Sequence, residues 1–388
     1  MLNTRKIYYF NGEQREFDAT VLDVSPFENG FCIVLDQTCF FPEGGGQQCD
    51  TGTVGNTVIS DVFERNEAVY HFSESFPDCK VGDTVHCSVN WEKRFPRMQA
   101  HSGEHLLSGI VHKKYGFNNV GFHMDDAVMT VDFDGVLTKE QLREVEREAN
   151  DAIYNDVAIK TYFLKDSSDE PDYRSKLAEL TNPRLVEIDG YDICACCAPH
   201  VSSTGKIGLI KILSSASHRG GIRITLICGV TAYMEFAARY DDILALSDLL
   251  CAPHDAVPQA VRGLLDRMED MKREEALRKS EQMKKLVDGI KPTDGNICLF
   301  VDGASTDDIR KIAVMLKDSC GGFCVVLGGD DESGYAYAIT SPRGALRAYA
   351  SVFNGALSGR GGGKDDMLQG RFCVPRAQIE EYFSKKEI

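Results

Sequence analysis

A chain of 388 residues is too long for one ordinary hydrophobic core, so two or three domains are expected. Its 59 acidic against 43 basic side chains give a net charge of −16, which excludes nucleic-acid binding by the surface as a whole and leaves only local basic patches for it. No stretch approaches a membrane span, and the start, MLNTRKIYYFNGEQREF, has no apolar run after its basic residues; the expected setting is cytoplasmic, with no membrane partner and most of the 14 cysteines as free thiols.

Residues 1–90 alternate short β-rich runs with turn signals (REFDATVLDVS, GFCIVLDQTCFF, TGTVGNTVISDVF, EAVYHF, TVHCSVNW), which predicts a small, strongly bent, barrel-like β-domain. Its unusual insertion is Phe41-Pro42-Glu43-Gly44-Gly45-Gly46-Gln47, where consecutive glycines point to a sharp turn or the close approach of a ligand. Residues 91–245 read as an α+β domain: a helix from about Pro96 to Lys114, a hairpin in VGFHMDDAVMTVDFDG, and an amphipathic helix whose Thr138 and Gln141 form a capping box. A strand with an acidic loop, a helix around Tyr173 to Glu179, a loop carrying Cys196 and His200, and the strands GKIGLIKILSS and GGIRITLICG complete it. Cys32, Cys228 and Cys324 lie in apolar runs and are expected in the core.

Residues 246–292 form a helical connector in which Val257, Val261, Leu264, Leu265, Met268 and Met271 recur at helical spacing. That stripe can dock on its own domain or pair with a second copy, and a homodimer would form through residues 253–290 or through the C-terminal domain. Residues 293–388 alternate strand and helix and predict a compact α/β domain, with a glycine loop at Gly359-Arg360-Gly361-Gly362-Gly363-Lys364.

Two short pieces carry the chemistry. His101 and His105 are spaced i, i+4, which stacks both imidazoles on one helix face. Cys196-Cys197-Ala198-Pro199-His200 adds a thiol and a further imidazole. Three histidines and a cysteine suit tetrahedral zinc better than magnesium, calcium or manganese. Taken singly, each piece also fits histidines bonded to the backbone or a cysteine buried as a small apolar residue. The same helix matches the H-x-x-E-H pattern of inverted zinc peptidases, with Glu104 as base, yet no downstream carboxylate ligand is evident and Cys196 is left without a role. Cys194 and Cys197 form a single C-x-x-C with no second pair to complete a zinc ribbon and no βαβ context for redox work. The C-terminal triple glycine fails the nucleotide-loop patterns; with Arg360, Lys364 and Arg371 it offers either an RNA-phosphate contact or only a tight turn.

Taken in order, LDQTCFFPEGGGQQCDTG, RMQAHSGEHLL, CCAPHVSSTGKIGLIKI and LSGRGGGKDDMLQGRF resemble the editing and C-terminal portions of alanyl-tRNA synthetase. With no synthetase core ahead of them, they are similar to the free-standing AlaX-type editing proteins, long subtype. The resemblance implies zinc on His101, His105, Cys196 and His200, and as substrate alanine tRNA charged with serine, or glycine. It further implies a role in editing for Gln47 beside the glycines Gly44, Gly45 and Gly46, recognition of the serine hydroxyl by Thr38, and tRNA binding by Arg360, Gly361, Gly362, Gly363 and Lys364. Glu104 is a candidate base or partner of a ligand. One departure stands out: the family loop reads like C-G-G-T-H, whereas this chain has Cys197-Ala198-Pro199, so Cys197 is a competing thiolate and Pro199 lacks a backbone donor.

A hydrolytic second site makes physical sense, because a pocket that accepts alanine gains only roughly 1–3 kcal/mol against an added hydroxyl or a lost methyl. Zinc there either orients the substrate amine or activates water, or is architectural while Gln47 polarises the ester. Lys113, Lys114, His218, Arg219, Arg223, Arg343 and Arg347 are further cations able to track RNA. The competing class is an RNA-binding or regulatory protein that kept the fold without turnover.

Overall fold

The structure, a computed structural model, describes residues 2–164, 171–175 and 182–385. It is a mixed α/β protein with seven α-helices and five sheets among the described residues, in two compact units, Met1–Leu246 and Ser247–Ile388. No described helix is long and apolar enough to cross a membrane. All 14 cysteines are free thiols, and Cys32, Cys228 and Cys324 are buried.

The first unit opens with seven strands, β1 (Glu16–Phe27), β2 (Gly30–Leu35), β3 (Gly52–Val54), β4 (Thr57–Ile59), β5 (Asp61–Arg65), β6 (Ala68–Ser73) and β7 (Thr84–Val89). They form one sheet in the order β4-β3-β7-β1-β2-β6-β5. Its two edge strands are consecutive in the chain, and between them Ser60 N–H donates to Phe72 O at 3.0 Å, so the sheet nearly closes on itself. Alternation turns Phe17, Ala19 and Val21 inward, where they meet Ile33, Leu35, Phe40 and Val69. Inside this barrel His71 is fully buried, its Nδ1 3.0 Å from Ile33 O. A carbonyl only accepts, so Nδ1 carries the proton and Nε2 accepts from the Thr38 hydroxyl at 2.8 Å.

Helix α1 (Trp91–Tyr115) follows directly, capped by Asn90 and ended at Gly116 with φ +72°. It starts one turn earlier than the Pro96 expected from sequence, so Pro96 lies inside the helix, where its missing N–H leaves Glu92 O without its intrahelical donor. Around α1 pack β8 (Asn119–Met124), β9 (Met129–Phe133), α2 (Lys139–Tyr154), β10 (Ile159–Phe163), β11 (Arg184–Ile188), β12 (Asp192–Ala195), β13 (Ile210–His218) and β14 (Gly221–Cys228). They form a four-stranded sheet, β8-β9-β14-β13, and a three-stranded one, β10-β11-β12. Leu106, Leu107, Ile110 and Val111 of α1 meet Val131, Val145, Val186 and Leu226 in one core. The Thr138–Gln141 capping box is present on α2. Of the helix expected around Tyr173 to Glu179, the described part is not helical, since Arg174 bridges Cys194 in extended pairing; the remainder lies outside the described residues.

Helix α3 (Gly229–Leu250), which the sequence did not announce, precedes α4 (Val257–Asp288). The second unit continues with β15 (Ile297–Phe300), α5 (Thr306–Leu316), β16 (Cys324–Asp330), β17 (Gly334–Thr340), α6 (Ala350–Ala356), β18 (Arg360–Lys364), β19 (Met367–Phe372) and α7 (Arg376–Ser384). Its sheet runs β15-β16-β17-β19-β18, with only the β15–β16 pairing parallel. The expected glycine loop is therefore an edge strand. Glycine is needed there for close approach: a Cβ on Gly361 or Gly363 would come within 2.4 Å of Gln369 O or 2.1 Å of Met367 O.

The barrel and α1 are tied by a buried ion pair. Arg94 Nε donates to both carboxylate oxygens of Asp50 at 2.8 and 2.9 Å, Nη2 also bonds Asp50 and Cys39 O at 2.5 Å for the latter, and Nη1 donates to Gly12 O at 2.9 Å. Asp50 in turn accepts from Phe41 N–H at 2.6 Å. Asp50→Asn should cost about 3–5 kcal/mol in denaturant unfolding, because it strands a buried guanidinium.

Burial pushes the His71 imidazole down to about 4. The unfolded chain therefore binds one more proton between about 6.5 and about 4, and stability falls with falling pH across that window, at about 1.4 kcal/mol per unit for this group. The slope of stability against pH from 6.5 to 4.5 should be shallower in His71→Gln than in the wild type.

Candidate metal centre

On α1 the i, i+4 spacing brings His101 and His105 to one face, with ring centroids 5.4 Å apart. The loop after β12 brings Cys196 and His200 over them, His200 lying 4.8 and 4.6 Å from the two rings. One ligand atom from each of the four falls within 4.8 Å of all the others. Cys196 Sγ is 3.6 Å from His101 Nε2 and 3.4 Å from His200 Nε2. A tetrahedron with metal–nitrogen bonds of about 2.0 Å and a metal–sulfur bond of about 2.3 Å has nitrogen–sulfur edges of about 3.5 Å, so the spacing fits a zinc-sized ion.

The imidazoles of His101 and His200 are hydrogen-bonded through their other nitrogen, whereas His105 Nδ1, buried without a hydrogen bond, only faces a carboxylate. His101 Nδ1 is 3.0 Å from Gln47 Oε1, His200 Nδ1 is 3.0 Å from Ser102 Oγ, and His105 Nδ1 is 3.4 Å from Asp192 Oδ2. Such partners fix ring orientation and tautomer at metal sites. Asp192 is itself gripped by Arg174, Nε and Nη2 each at 2.7 Å, and Ser102 Oγ also accepts from Val201 N–H. Sequence reasoning missed Ser102, Asp192, Arg174 and Arg184; of these only Asp192, a carboxylate just upstream of the cysteine loop, gave a sequence signal.

Electrostatically the cluster is a thiolate among imidazoles. Burial alone would raise the Cys196 thiol, but His101, His200 and His105 draw it well below the usual thiol range. Burial pushes His200 down to about 3, so it is a neutral donor. Cys194 stays a thiol, pushed up to about 11 by burial. Cys197 does not join the four donors: it is exposed, and burial of its thiol group together with the nearby Cys196 raises its pKa.

The glycine segment folds into a two-residue turn. Gly44 and Gln47 exchange backbone hydrogen bonds at 3.0 Å, with Gly45 at φ +61° and Gly46 at φ +84°, a turn that requires positive φ at both central positions. A Cβ on Gly46 would meet Phe122 Cδ1 at 2.6 Å. Gln47 is 1% exposed; Oε1 faces His101 and Nε2 is buried with no acceptor.

A cavity of about 1060 Å³ lies against the cluster, lined by His101, His105 and Cys196, by Gly45, and by Glu104 and Arg184 among others. Glu104 Oε1 accepts from Ser108 and from Asn119, each at 2.5 Å, while Oε2 lies 3.9 Å from His105 Nε2. Gly44, Gly46 and Thr38 do not line this cavity; Thr38 is fully buried, donating to His71 and accepting from Phe40 N–H at 3.0 Å. In the second unit, Arg360, Gly361, Gly362, Gly363 and Lys364 are all exposed along β18. Gly362, Gly363 and Lys364 join Lys279, Arg310 and Lys311 around a groove of about 1110 Å³.

Comparison with known proteins finds relatives of this sequence. Residues 184–225, which span β11 to the middle of β14, match the family described as "Threonyl and Alanyl tRNA synthetase second additional domain". Residues 10–93 match "tRNA synthetases class II (A)". An alanine–tRNA ligase of Methanococcus maripaludis is 26% identical over 98% of this chain and 43% of its own length, and that of Pyrococcus abyssi is 30% identical over 95% and 42%. The chain thus spans less than half the length of these ligases. The alanyl-tRNA editing protein AlaX-L of Pyrococcus horikoshii is 27% identical over 97% of this chain and 96% of its own length. In sequence, through almost its whole length, the chain resembles the AlaX-L type of alanyl-tRNA editing protein and, with it, the matching part of alanine–tRNA ligase.

Proposed function

We propose that this protein is a zinc-dependent hydrolase that deacylates alanine tRNA wrongly charged with serine, and also with glycine, acting in trans in the cytoplasm. The observation that carries the reading is the convergence of His101, His105, Cys196 and His200 beside an open cavity, with the His101 and His200 imidazoles hydrogen-bonded from behind. Three nitrogens and one thiolate favour zinc over oxygen-seeking cations. The peptidase pattern, by contrast, would leave Cys196 and His200 unused. When bound, zinc supplies a positive centre that orients the substrate amine or lowers the pKa of a water.

The chain's own groups do the rest. Gln47 is anchored through Oε1, and its Nε2 is a buried donor with nothing to bond; an ester carbonyl oxygen beside His101 would give it an acceptor. Glu104 is held through Oε1, which leaves Oε2 beside His105 to accept a proton or hold the amine. The exposed β18 strand, with Arg360 and Lys364, offers cations and backbone N–H groups to tRNA phosphates. The exposed stripe Val261, Leu264, Leu265, Met268 and Met271 on α4 is where a second copy would pair.

Seryl-alanine tRNA incubated with catalytic amounts of the purified protein should be hydrolysed with many turnovers, and Cys196→Ala should lose the metal and about 100-fold or more of the activity. Protection of the ester without turnover would instead make the protein a binder. Full hydrolysis by a metal-free Cys196→Ala would remove zinc from the reaction.

Thr38 tests the origin of selectivity. A reader of the serine hydroxyl would have to turn away from His71, and Thr38 does not line the cavity. Thr38→Val should therefore lower stability by about 1–2 kcal/mol and keep the preference for seryl over alanyl ester, measured as the ratio of kcat/KM. A collapse of that ratio would return the hydroxyl to substrate recognition.

A further inference from the structure

Arg184, at the start of β11, stands in the wall of the cavity and is 7% exposed. Its Nε donates to Tyr9 O at 3.0 Å, and its Nη1 donates to Cys196 O at 2.7 Å and Ala198 O at 3.0 Å. The Tyr9 ring centre lies 5.5 Å from the guanidinium carbon. Among the described residues its partners are thus backbone carbonyls and one aromatic face. Among the described residues no carboxylate forms an ion pair with it and Nη2 has no acceptor.

The contrast with Arg174 in the same wall is instructive. There both Nε and Nη2 are spent on Asp192 at 2.7 Å, so that charge is cancelled inside the protein. Arg184 keeps its charge. The Cys196 sulfur is the first of the negative groups that act on it, no described carboxylate does, and its planar fork matches the oxygens of a phosphate. In a protein of net charge −16, a cation set apart in this way also gives an anionic chain a reason to enter.

We propose that Arg184 is an anion-binding residue of the cavity, whose free Nη2 receives the phosphodiester that precedes the terminal nucleoside of the acylated RNA. This rests on the editing reading above. The position of the phosphate follows from connectivity: Arg184 bonds the carbonyl of Cys196, whose thiolate belongs to the metal cluster. The anion it meets therefore belongs to the nucleotide that bears the ester and not to one farther up the strand. By the same bonds Arg184 braces the cysteine loop, so the test must separate recognition from bracing.

Two esters do so: 3′-O-seryl adenosine, which has no phosphate, and the seryl ester of the dinucleotide CpA, which has one phosphodiester. The wild-type protein should favour the dinucleotide ester at least tenfold in kcat/KM. In Arg184→Lys, with zinc content measured alongside, that ratio should fall toward one, mainly through KM. An equal loss on both esters would assign Arg184 to bracing alone and overturn the proposal. A second measurement needs no variant: by calorimetry on the zinc-loaded wild type, adenosine 5′-monophosphate should bind at least tenfold more tightly than adenosine, and equal affinity would also overturn it. If the wild type hydrolyses neither ester nor seryl-alanine tRNA, the editing reading itself fails and the proposal falls with it.

Discussion

The buried pairing of Arg94 with Asp50 decides whether the two halves of the site can meet. Arg94 lies two helical turns before His101 on α1, and Asp50 lies three residues after Gln47 on the glycine segment. Because the guanidinium also binds Cys39 O and Gly12 O, the whole stretch from Cys39 to Asp50 is strapped to the start of the helix. The Gln47–His101 bond at 3.0 Å then follows from two rigid arms leaving one anchor. Gly46 closes the triangle, since only a residue without Cβ lets the turn settle against Phe122. The barrel thus serves as the platform that holds Gln47 at the ring of a metal-ligand candidate.

A four-donor cluster poses a chemical problem, because a catalytic zinc usually keeps one coordination position open. Here the histidines of the cluster are buried, two of its three imidazoles are restrained from behind by hydrogen bonds, and the fourth donor is a thiolate. Such restraint favours a centre of fixed geometry over one that exchanges ligands. Three groups have bonding that is half complete: Glu104 through Oε2 and Arg184 through Nη2 in the cavity wall, and Gln47 through Nε2, buried beside His101. In each the opposite end of the polar group is fixed, which is how a side chain is oriented in advance and spared reorganisation during reaction.

What the sequence revealed follows from how local each feature is. The His101–His105 face and the Thr138–Gln141 cap are statements about helical spacing alone, and both stand in the structure. Ser102 and Arg184 depend on which loop crosses α1, a fact of tertiary structure with no short-range signature. Helix α3 was hidden because Tyr233, Met234, Phe236, Tyr240 and Leu249 spread apolar character around it, so no single face stands out. The C-terminal glycines were read as a loop because glycine usually marks turns; here they narrow an edge strand so that its neighbour and Tyr337 can approach. Thr38 sits in a motif whose family role suggested substrate contact, and only the barrel interior reveals His71 waiting for its hydroxyl.

The departure at Cys197-Ala198-Pro199 can now be understood from the way the loop is held. Its grip comes from carbonyls, Cys196 O and Ala198 O on Arg184, and beyond them from Val201 N–H on Ser102 Oγ. Pro199 removes a donor that this scheme does not use, so the substitution carries little cost. Ala198 is fully buried against Tyr8 and Phe41, and Pro199 packs where Gly12 passes with no room for a side chain. Cys197 is turned to the rim, with Sγ 3.8 Å from where a Cβ on Gly44 would lie. A loop that usually depends on glycine is instead fixed by an arginine behind it and a small apolar cluster beneath it, and Cys196 and His200 keep their place on the cluster because of both.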